Sequence, residues 1–345
     1  MGVRFRNRTI DGVTKTVDES TSQTLEVPRD ARIQALTLCA NIAVANATTT
    51  LTMTKRQLAS IFTKIELIEN GSTGRVSVDG ARLYDMDYYM MGCEPVVWDV
   101  NANTTLGGTV SIAGSSTENV YIELPLLFRV NPKDDQDVAG LVNAYQMSSL
   151  DLSVTMGSAW RPASANLTIT GGSSSMFVKV REVLGTDKEI MALANAKGFG
   201  NLWDVYYTSQ QATLTTSANM LNSVDLETQA LHQQIGMHQY DLSATDWVND
   251  IVDRFKFQVT DQTGDVMLAE QTWEASVGDD LVTYGVPQAK DGFTIYDPEA
   301  DVLGLNTFWM KKGDFRVYYN TGGTVSSGND LLQFTYKSLR PSQVQ

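Results

Sequence analysis

From residue 23 onward the chain is dominated by short stretches in which apolar and polar residues alternate. "TLEVP", "RIQALTLCANIAV", "TTTLTM", "TKIELIE", "GRVSVDG", "NVYIELPLLF", "LDLSVTM", "NLTIT" and "MFVKVREVL" fill the first half. "VYYTSQQATLTT", "LHQQIGMHQYDL", "RFKFQVTD", "DVMLAEQTW", "FTIYD", "DFRVYYN" and "LLQFTYKSL" fill the second. They are rich in Val, Ile, Thr and aromatic residues, and period-two alternation predicts half-buried strands. Turn residues separate them at Asn70-Gly71, Gly107-Gly108 and Gly171-Gly172. Residues 1–20 read as a loose arm. The clearest helix is "TDKEIMALANAKGFG" (186–200), with Thr186 or Asp187 to cap its start and Gly198 to stop it.

The pattern is written twice. With Val142 skipped, "DVAGLVNAYQMSSLDLSV" (137–154) aligns with "DVLGLNTFWMKKGDFRV" (301–317) at eight identities in seventeen positions. About one would arise by chance. The identities include Asp137 with Asp301, Val138 with Val302, Gly140 with Gly304 and Asp151 with Asp314. A second echo pairs "IFTKIELIENGSTGRVSV" (61–78) with "IVDRFKFQVTDQTGDVML" (251–268) at an offset of 190. Ordered self-similarity marks a duplicated architecture. The offset falls from 190 to 163 between the echoes. The first copy therefore holds about 27 extra residues there, most simply a longer surface loop. Val138, Leu141, Val142 and Tyr145 fall at helical spacing, and Val302, Leu305 and Trp309 repeat it, which predicts a short helix before a late strand in both copies.

Taken together, these signals predict an all-β chain of two copies, each of seven to nine short strands that fit a double-sheet sandwich such as a jelly roll, with a few short helices. The expected organisation is an N-terminal arm at 1–16, jelly roll 1 at 17–184, a linker helix at 185–200, jelly roll 2 at 201–340 and a tail at 341–345. A length of 345 residues suits two cores.

Charge narrows the partners. A net charge of −14 argues against direct binding to nucleic acid. Yet Arg4, Arg6 and Arg8 crowd the start, and Lys337 and Arg340 lie near the end, where they could touch an anionic surface. The start lacks a secretory signal's apolar core, and Arg6 stands where myristoylation wants Ser or Thr. No stretch of about eighteen apolar residues predicts a membrane-spanning helix. Cys39 and Cys93 read as two buried thiols.

Catalytic chemistry finds little support. There is no phosphate-binding loop, dinucleotide fingerprint or nucleophile elbow. His232 and His238 lack further zinc ligands, and strand positions account for them better. No cofactor or metal is expected. The acidic runs at Asp134, Asp135 and Asp137, at Asp279 and Asp280, and at Asp85 and Asp87 read as solvated loops. Sequons stand at Asn7, Asn46, Asn70, Asn103 and Asn166.

On these residues the chain resembles the double jelly-roll major capsid proteins of tailless icosahedral viruses, the lineage of adenovirus and of membrane-containing phages and archaeal viruses. The resemblance covers residues 17–340. It rests on the duplicated β pattern, the short helix before a late strand in both copies (137–154 and 301–317), the linker helix at 186–200 and the missing catalytic motifs. The length suits the smaller members, such as that of the turreted virus of hot-spring archaea. The resemblance implies two tandem eight-stranded jelly rolls and a non-enzymatic coat protein, made in the host cytoplasm and located in the virion. It implies a homotrimer that packs as a pseudo-hexamer beside neighbouring capsomers, penton and minor capsid proteins, over an internal membrane. Arg4, Arg6, Arg8, Lys337 and Arg340 would then face anionic lipid. Two other readings remain: a duplicated carbohydrate-binding or adhesion module with exposed aromatics in a groove, and a glycan-active or metal-dependent enzyme on a β scaffold.

Overall fold

The computed structural model describes residues 2–10, 14–99, 104–105, 109–158, 160, 166–216, 222–244, 246–261, 263–298, 304–322, 325 and 330–342. Asn103, Gly107-Gly108, Asp301, Val302 and the last three residues lie outside them. In chain order the first elements are β1 (Arg4–Thr9), β2 (Lys15–Thr16), β3 (Ser22–Glu26), β4 (Arg32–Asn46), β5 (Leu51–Thr54), α1 (Lys55–Ala59), β6 (Phe62–Glu69), β7 (Thr73–Val78) and α2 (Gly80–Met91). Then come β8 (Val97–Asp99), β9 (Thr104–Thr105), β10 (Thr109–Ile112), β11 (Ser116–Leu127), β12 (Leu150–Met156), β13 (Leu167–Ile169), β14 (Ser175–Leu184) and α3 (Asp187–Ala196). The remainder is β15 (Trp203–Thr213), β16 (Asn222–Asp225), β17 (Leu231–Asp241), β18 (Asp246–Trp247), β19 (Val252–Asp261), β20 (Gly264–Thr272), α4 (Trp273–Tyr284), β21 (Phe293–Tyr296), β22 (Leu305–Asn306), β23 (Phe315–Thr321) and β24 (Asp330–Pro341).

Residues 1–206 with 341–345 form one compact unit, and residues 207–340 form another. In the first unit, β3, β12, β6 and β7 pair in that order. Its other sheet runs β1, β14, β4, β11, β8, β9, with β2 also on β14. In the second unit one sheet runs β16, β23, β19, β20. The other places β15, β24 and β17 side by side, with β21 on the far side of β17. Counting eight principal strands per unit, with β1 and β2 together as the first, the order is the same twice. The first neighbours the eighth, the eighth the third, and the third the sixth; the second, seventh, fourth and fifth make the other sheet. That is the order of a jelly roll, and the chain carries it twice.

The echoes fall on equivalent strands. Residues 61–78 and 251–268 form the fourth and fifth strands of their units, joined as hairpins. Phe62, Ile65 and Leu67 are buried, and so are Val252, Phe255 and Phe257 at the same offset. Asn70 and Gly71 take positive φ values of 52° and 75°, which suits a tight hairpin. Likewise Leu152, Val154 and Met156 on β12 match Phe315, Val317 and Tyr319 on β23, all core residues. Upstream of these strands each copy lays a strap on the start of its third strand. Val142 exchanges both backbone hydrogen bonds with Ile33 at 2.9 Å, and Leu305 pairs with His232.

This strap corrects the helix expected there. Among the described residues only a 3₁₀ turn forms, at Ala144–Gln146, and Leu305–Asn306 is a strand followed by a turn, with Val302 outside them. Val138, Leu141 and Val142 are buried because the strap lies on the core, while Tyr145 points outward. Backbone pairing with the third strand outcompetes the local helical pattern. The helices sit elsewhere: α2 and α4 each join the fifth strand to the sixth. Asp79 caps α2 and Thr272 caps α4, and each ends on a left-handed glycine, Gly92 or Gly285. The Thr186 hydroxyl and Glu189 close a capping box on α3.

The surplus of the first copy is more than a loop. Between α2 and β11 the first unit has 24 residues where the second has eight between α4 and β21, and among the described ones β8 pairs with β11 and β9, and β10 with β5. Of the two thiols, Cys39 is buried but Cys93 is exposed, because it follows the cap of α2 rather than entering a strand. Asp85 and Asp87 are not loop residues either; both are buried on α2.

Candidate functional site

The five basic residues singled out from the sequence do not behave alike. Residues 4–9 are not part of a loose arm: β1 runs antiparallel along β14, with Arg6 directly opposite Glu182. Alternation puts Arg6 and Arg8 on one face. There Arg6 Nε donates to Glu182 Oε2 at 2.5 Å, and Arg8 Nη2 lies 2.9 Å from Glu182 Oε1. The Glu182 side chain is fully buried, so the two guanidiniums neutralise a charge that water cannot reach. Asp30 closes the cluster, accepting from Arg8 at 2.6 Å and from Arg6 at 3.3 Å. Burial pushes the Asp30 carboxyl up, but its own backbone amide and the two arginines outweigh that and hold it below the usual carboxylate range. The hydrogen bond and charge of Glu182 raise the Arg6 guanidinium further.

Arg4 is exposed on the same strand. Lys337 corrects the expectation for the C-terminal pair: it is fully buried on β24, opposite Gln234, and offers nothing to a surface. Arg340 is 43% exposed and stands 3.8 Å from Glu227. A double change of Arg6 and Arg8 to Ala strands Glu182 in the core. We expect the melting temperature to fall by several degrees and Glu182→Gln to restore most of it, as read by thermal circular dichroism.

The histidines and acids have structural occupations. His232 Nδ1 lies 2.9 Å from Ser338 Oγ, and its Nε2 lies 2.9 Å from the Glu227 carbonyl. A carbonyl only accepts, so Nε2 carries the proton and Nδ1 accepts from the hydroxyl. Burial pushes the ring down to about 4. The His238 ring lies against Phe293, with centroids 4.4 Å apart and planes tilted by 39°. Asp137 accepts from the amides of Asn131 and Ala139, and so braces the strap. Asp280 on α4 is buried and accepts from Thr294 Oγ1 at 2.7 Å and Ile295 N at 2.9 Å. The sequon residue Asn46 is buried, its amide donating to Thr49 and Ile112. Among the described residues no group of three or more His, Cys, Asp or Glu is placed to hold a metal. No described helix is long and apolar enough to cross a membrane.

Comparison with known proteins decides the architecture. No protein-family model matches the chain, and no curated protein does. Among solved structures, the crystal structure of the STIV major capsid protein superposes over 97% of this chain and 96% of its own, with a TM-score of 0.75 at 13% identity. The fold is a double jelly roll. The atomic structure of Sulfolobus turreted icosahedral virus gives the same double jelly roll at a TM-score of 0.73, 16% identity, and coverage of 97% and 90%. Major capsid protein P2 of bacteriophage PM2 matches at 0.55 and 10% identity over 99% of both chains. At these identities the likeness is one of fold. Sequence reasoning missed the outward turn after β22, where Phe308 and Trp309 are 38% and 56% exposed. The signal was there: an aromatic pair followed two residues later by two lysines.

Proposed function

We propose that this chain is a viral major capsid protein that assembles by itself into pseudo-hexameric homotrimers tiling an icosahedral shell over an internal membrane. One observation carries the reading: the same eight-strand order occurs in both units, over a length that the STIV coat protein matches almost end to end. Three copies of a two-unit chain present six similar blocks, and six blocks pack as a near-hexagon. The role is structural rather than enzymatic. It places the chain in the virion after synthesis in the host cytoplasm, beside neighbouring capsomers and penton and minor capsid proteins. The working division is 1–16, 17–184, 185–200, 201–340 and 341–345. In this reading Arg4 and Arg340, with the outward edges of Arg6 and Arg8, meet anionic headgroups.

The carbohydrate-binding alternative calls for aromatics lining a groove. Trp309 is the one exposed tryptophan among the described residues, and it stands on a turn. Native mass spectrometry of the purified chain tests the reading. A species of three chains that persists on dilution supports it; a monomer at micromolar concentration contradicts it.

A further inference from the structure

We propose that the turn at residues 307–312 of the second unit is a lipid-docking knuckle, with Phe308 and Trp309 entering the headgroup layer of an anionic membrane and Lys311 and Lys312 lying on its phosphates. The proposal rests on the capsid reading for the identity of the membrane, and on the turn's own geometry for the contact.

The turn is built to present these side chains. Thr307 and Met310 are buried and pin it from below. The Thr307 amide donates to the Ala230 carbonyl at 2.8 Å, Gln229 N donates to the Thr307 carbonyl at 3.0 Å, and Met310 N donates to the same carbonyl at 3.0 Å. Asn306 Oδ1 accepts from Phe308 N at 3.1 Å. Asp314 then shapes the second half: its Oδ2 accepts from Lys311 N at 2.8 Å, and Gly313 takes a φ of 92°. The two residues between the pins, Phe308 and Trp309, have nowhere to go but outward. Lys311 and Lys312 follow, both exposed.

Internal duplication supplies the contrast. The same strap in the first unit carries Tyr145 where the second has Phe308. The Arg32 guanidinium lies over the Tyr145 ring at 4.7 Å and donates to its hydroxyl at 2.7 Å. That hydroxyl also lies 3.5 Å from Asp187 on α3. The first copy thus ties its aromatic down with an arginine and the start of a helix. In the second copy the matching aromatic, Phe308, lacks a hydroxyl, and among the described residues no arginine lies over its ring or that of Trp309.

An aromatic pair beside two lysines is the composition of a membrane–water interface. Indole rings settle at headgroup depth, and lysines reach the phosphates. A buried protein interface would favour arginine over lysine and would not leave two ammonium groups to desolvate. The position agrees. Leu305 and Asn306 pair with His232 and Leu231, and Leu231 also pairs with Leu339. Hence the turn lies at the end of the second unit where β24 finishes, near Arg340. Among the described residues Asp314, Asp225 and the Arg340-paired Glu227 are acids near the turn; Asp314 accepts from Lys311 N and Asp225 from Arg316 Nε.

The test is co-sedimentation of the full chain with phosphatidylcholine vesicles that contain or lack phosphatidylglycerol. Binding to the anionic vesicles is expected. Lys311→Glu with Lys312→Glu should weaken it by about twenty-fold or more, since each lysine near an anionic surface contributes about fivefold. Phe308→Ala with Trp309→Ala should weaken binding comparably and lower the melting temperature only slightly, because Trp309 is 56% and Phe308 38% exposed. Quenching of tryptophan fluorescence by brominated phospholipid should vanish in Trp309→Phe. Undiminished binding in either double variant overturns the proposal, as does a wild-type chain that ignores anionic vesicles. So does binding that disappears only when Arg4 and Arg340 are neutralised. The mass of each preparation separates this from the capsid reading. A trimer that fails to bind leaves the capsid reading standing and ends the lipid knuckle. A monomer whose vesicle binding depends on these four residues does the reverse.

Discussion

Gly304→Ala is expected to unfold the second unit, with a loss of roughly 3–5 kcal/mol in urea denaturation followed by far-UV circular dichroism. Gly304 takes a φ of 120°, and a Cβ there would run into the His232 carbonyl oxygen. That atom belongs to the backbone of β17 and cannot swing aside. The strap must pass this close because Leu305 pairs directly with His232. The echoed glycine of the first copy is expected to be costly for a related reason. At Gly140 a Cβ would lie 2.6 Å from the Phe128 carbonyl oxygen and 2.7 Å from Val205 Cγ2. Gly140 keeps an ordinary φ and one of its obstacles is a side chain, so Gly140→Ala should cost less than Gly304→Ala. Equal and negligible costs would mean that the straps do not lie where the strand pairing puts them.

Asp280→Asn is expected to stabilise the second unit by roughly 2–4 kcal/mol at pH 8 and to change little near pH 4. Burial pushes the Asp280 carboxyl up to about 7, with Asp279 and Asp297 opposing its ionisation and the Ile295 amide and Thr294 hydroxyl favouring it. The Tyr284 hydroxyl donates to Asp297 at 3.0 Å. In the unfolded chain the carboxyl ionises near its ordinary value of 3.8. Between those values the folded state holds the extra proton, so stability falls as pH rises from about 4 to about 7 and then levels. A tenfold change in a carboxyl's proton affinity corresponds to about 1.4 kcal/mol, which sets the upper figure. Asparagine can still accept from both donors and removes the titration. His232 acts in the opposite sense. Its ring is neutral in the fold down to about 4, against an ordinary value of 6.5, so it contributes stability that is lost as pH falls through that window. In the wild-type chain the two trends offset each other between about pH 4 and 6.5. Asp280→Asn should therefore expose a clear acid lability. A pH–stability curve identical to wild type would contradict the assignment.

Much of the architecture was legible in the sequence because burial on a sheet leaves a mark at every second residue. β12 reads Leu150, Leu152, Val154, Met156 along its buried face, and β23 repeats it with Phe315, Val317 and Tyr319. The helix α3 was legible because it is exposed and capped, with its polar and apolar faces separate. α2 was not, because ten of its twelve residues are buried, and a helix covered all round has no periodic stripe to read. Its caps, Asp79 and Gly92, were the remaining signal. The strap misled in the opposite direction. Val138, Leu141 and Val142 imitate a helical face, yet their burial comes from crossing the core in an extended path. Among the basic residues, charge alone could not separate them. Lys337 lies on β24 with both neighbours buried, whereas Arg6 and Arg8 point at Glu182, a partner 176 and 174 residues away. Only the pairing of β1 with β14 brings them together.

The central claim is that two like-built units in one chain let three copies imitate sixfold packing. Electron cryomicroscopy of the purified protein, with class averages viewed down the assembly axis, addresses it most directly. The account predicts a hexagonal outline whose alternate lobes differ, so that the true symmetry is threefold and the lobes with β8–β10 recur at every second corner. A two-lobed single chain, or a ring with identical lobes at all corners, would contradict it.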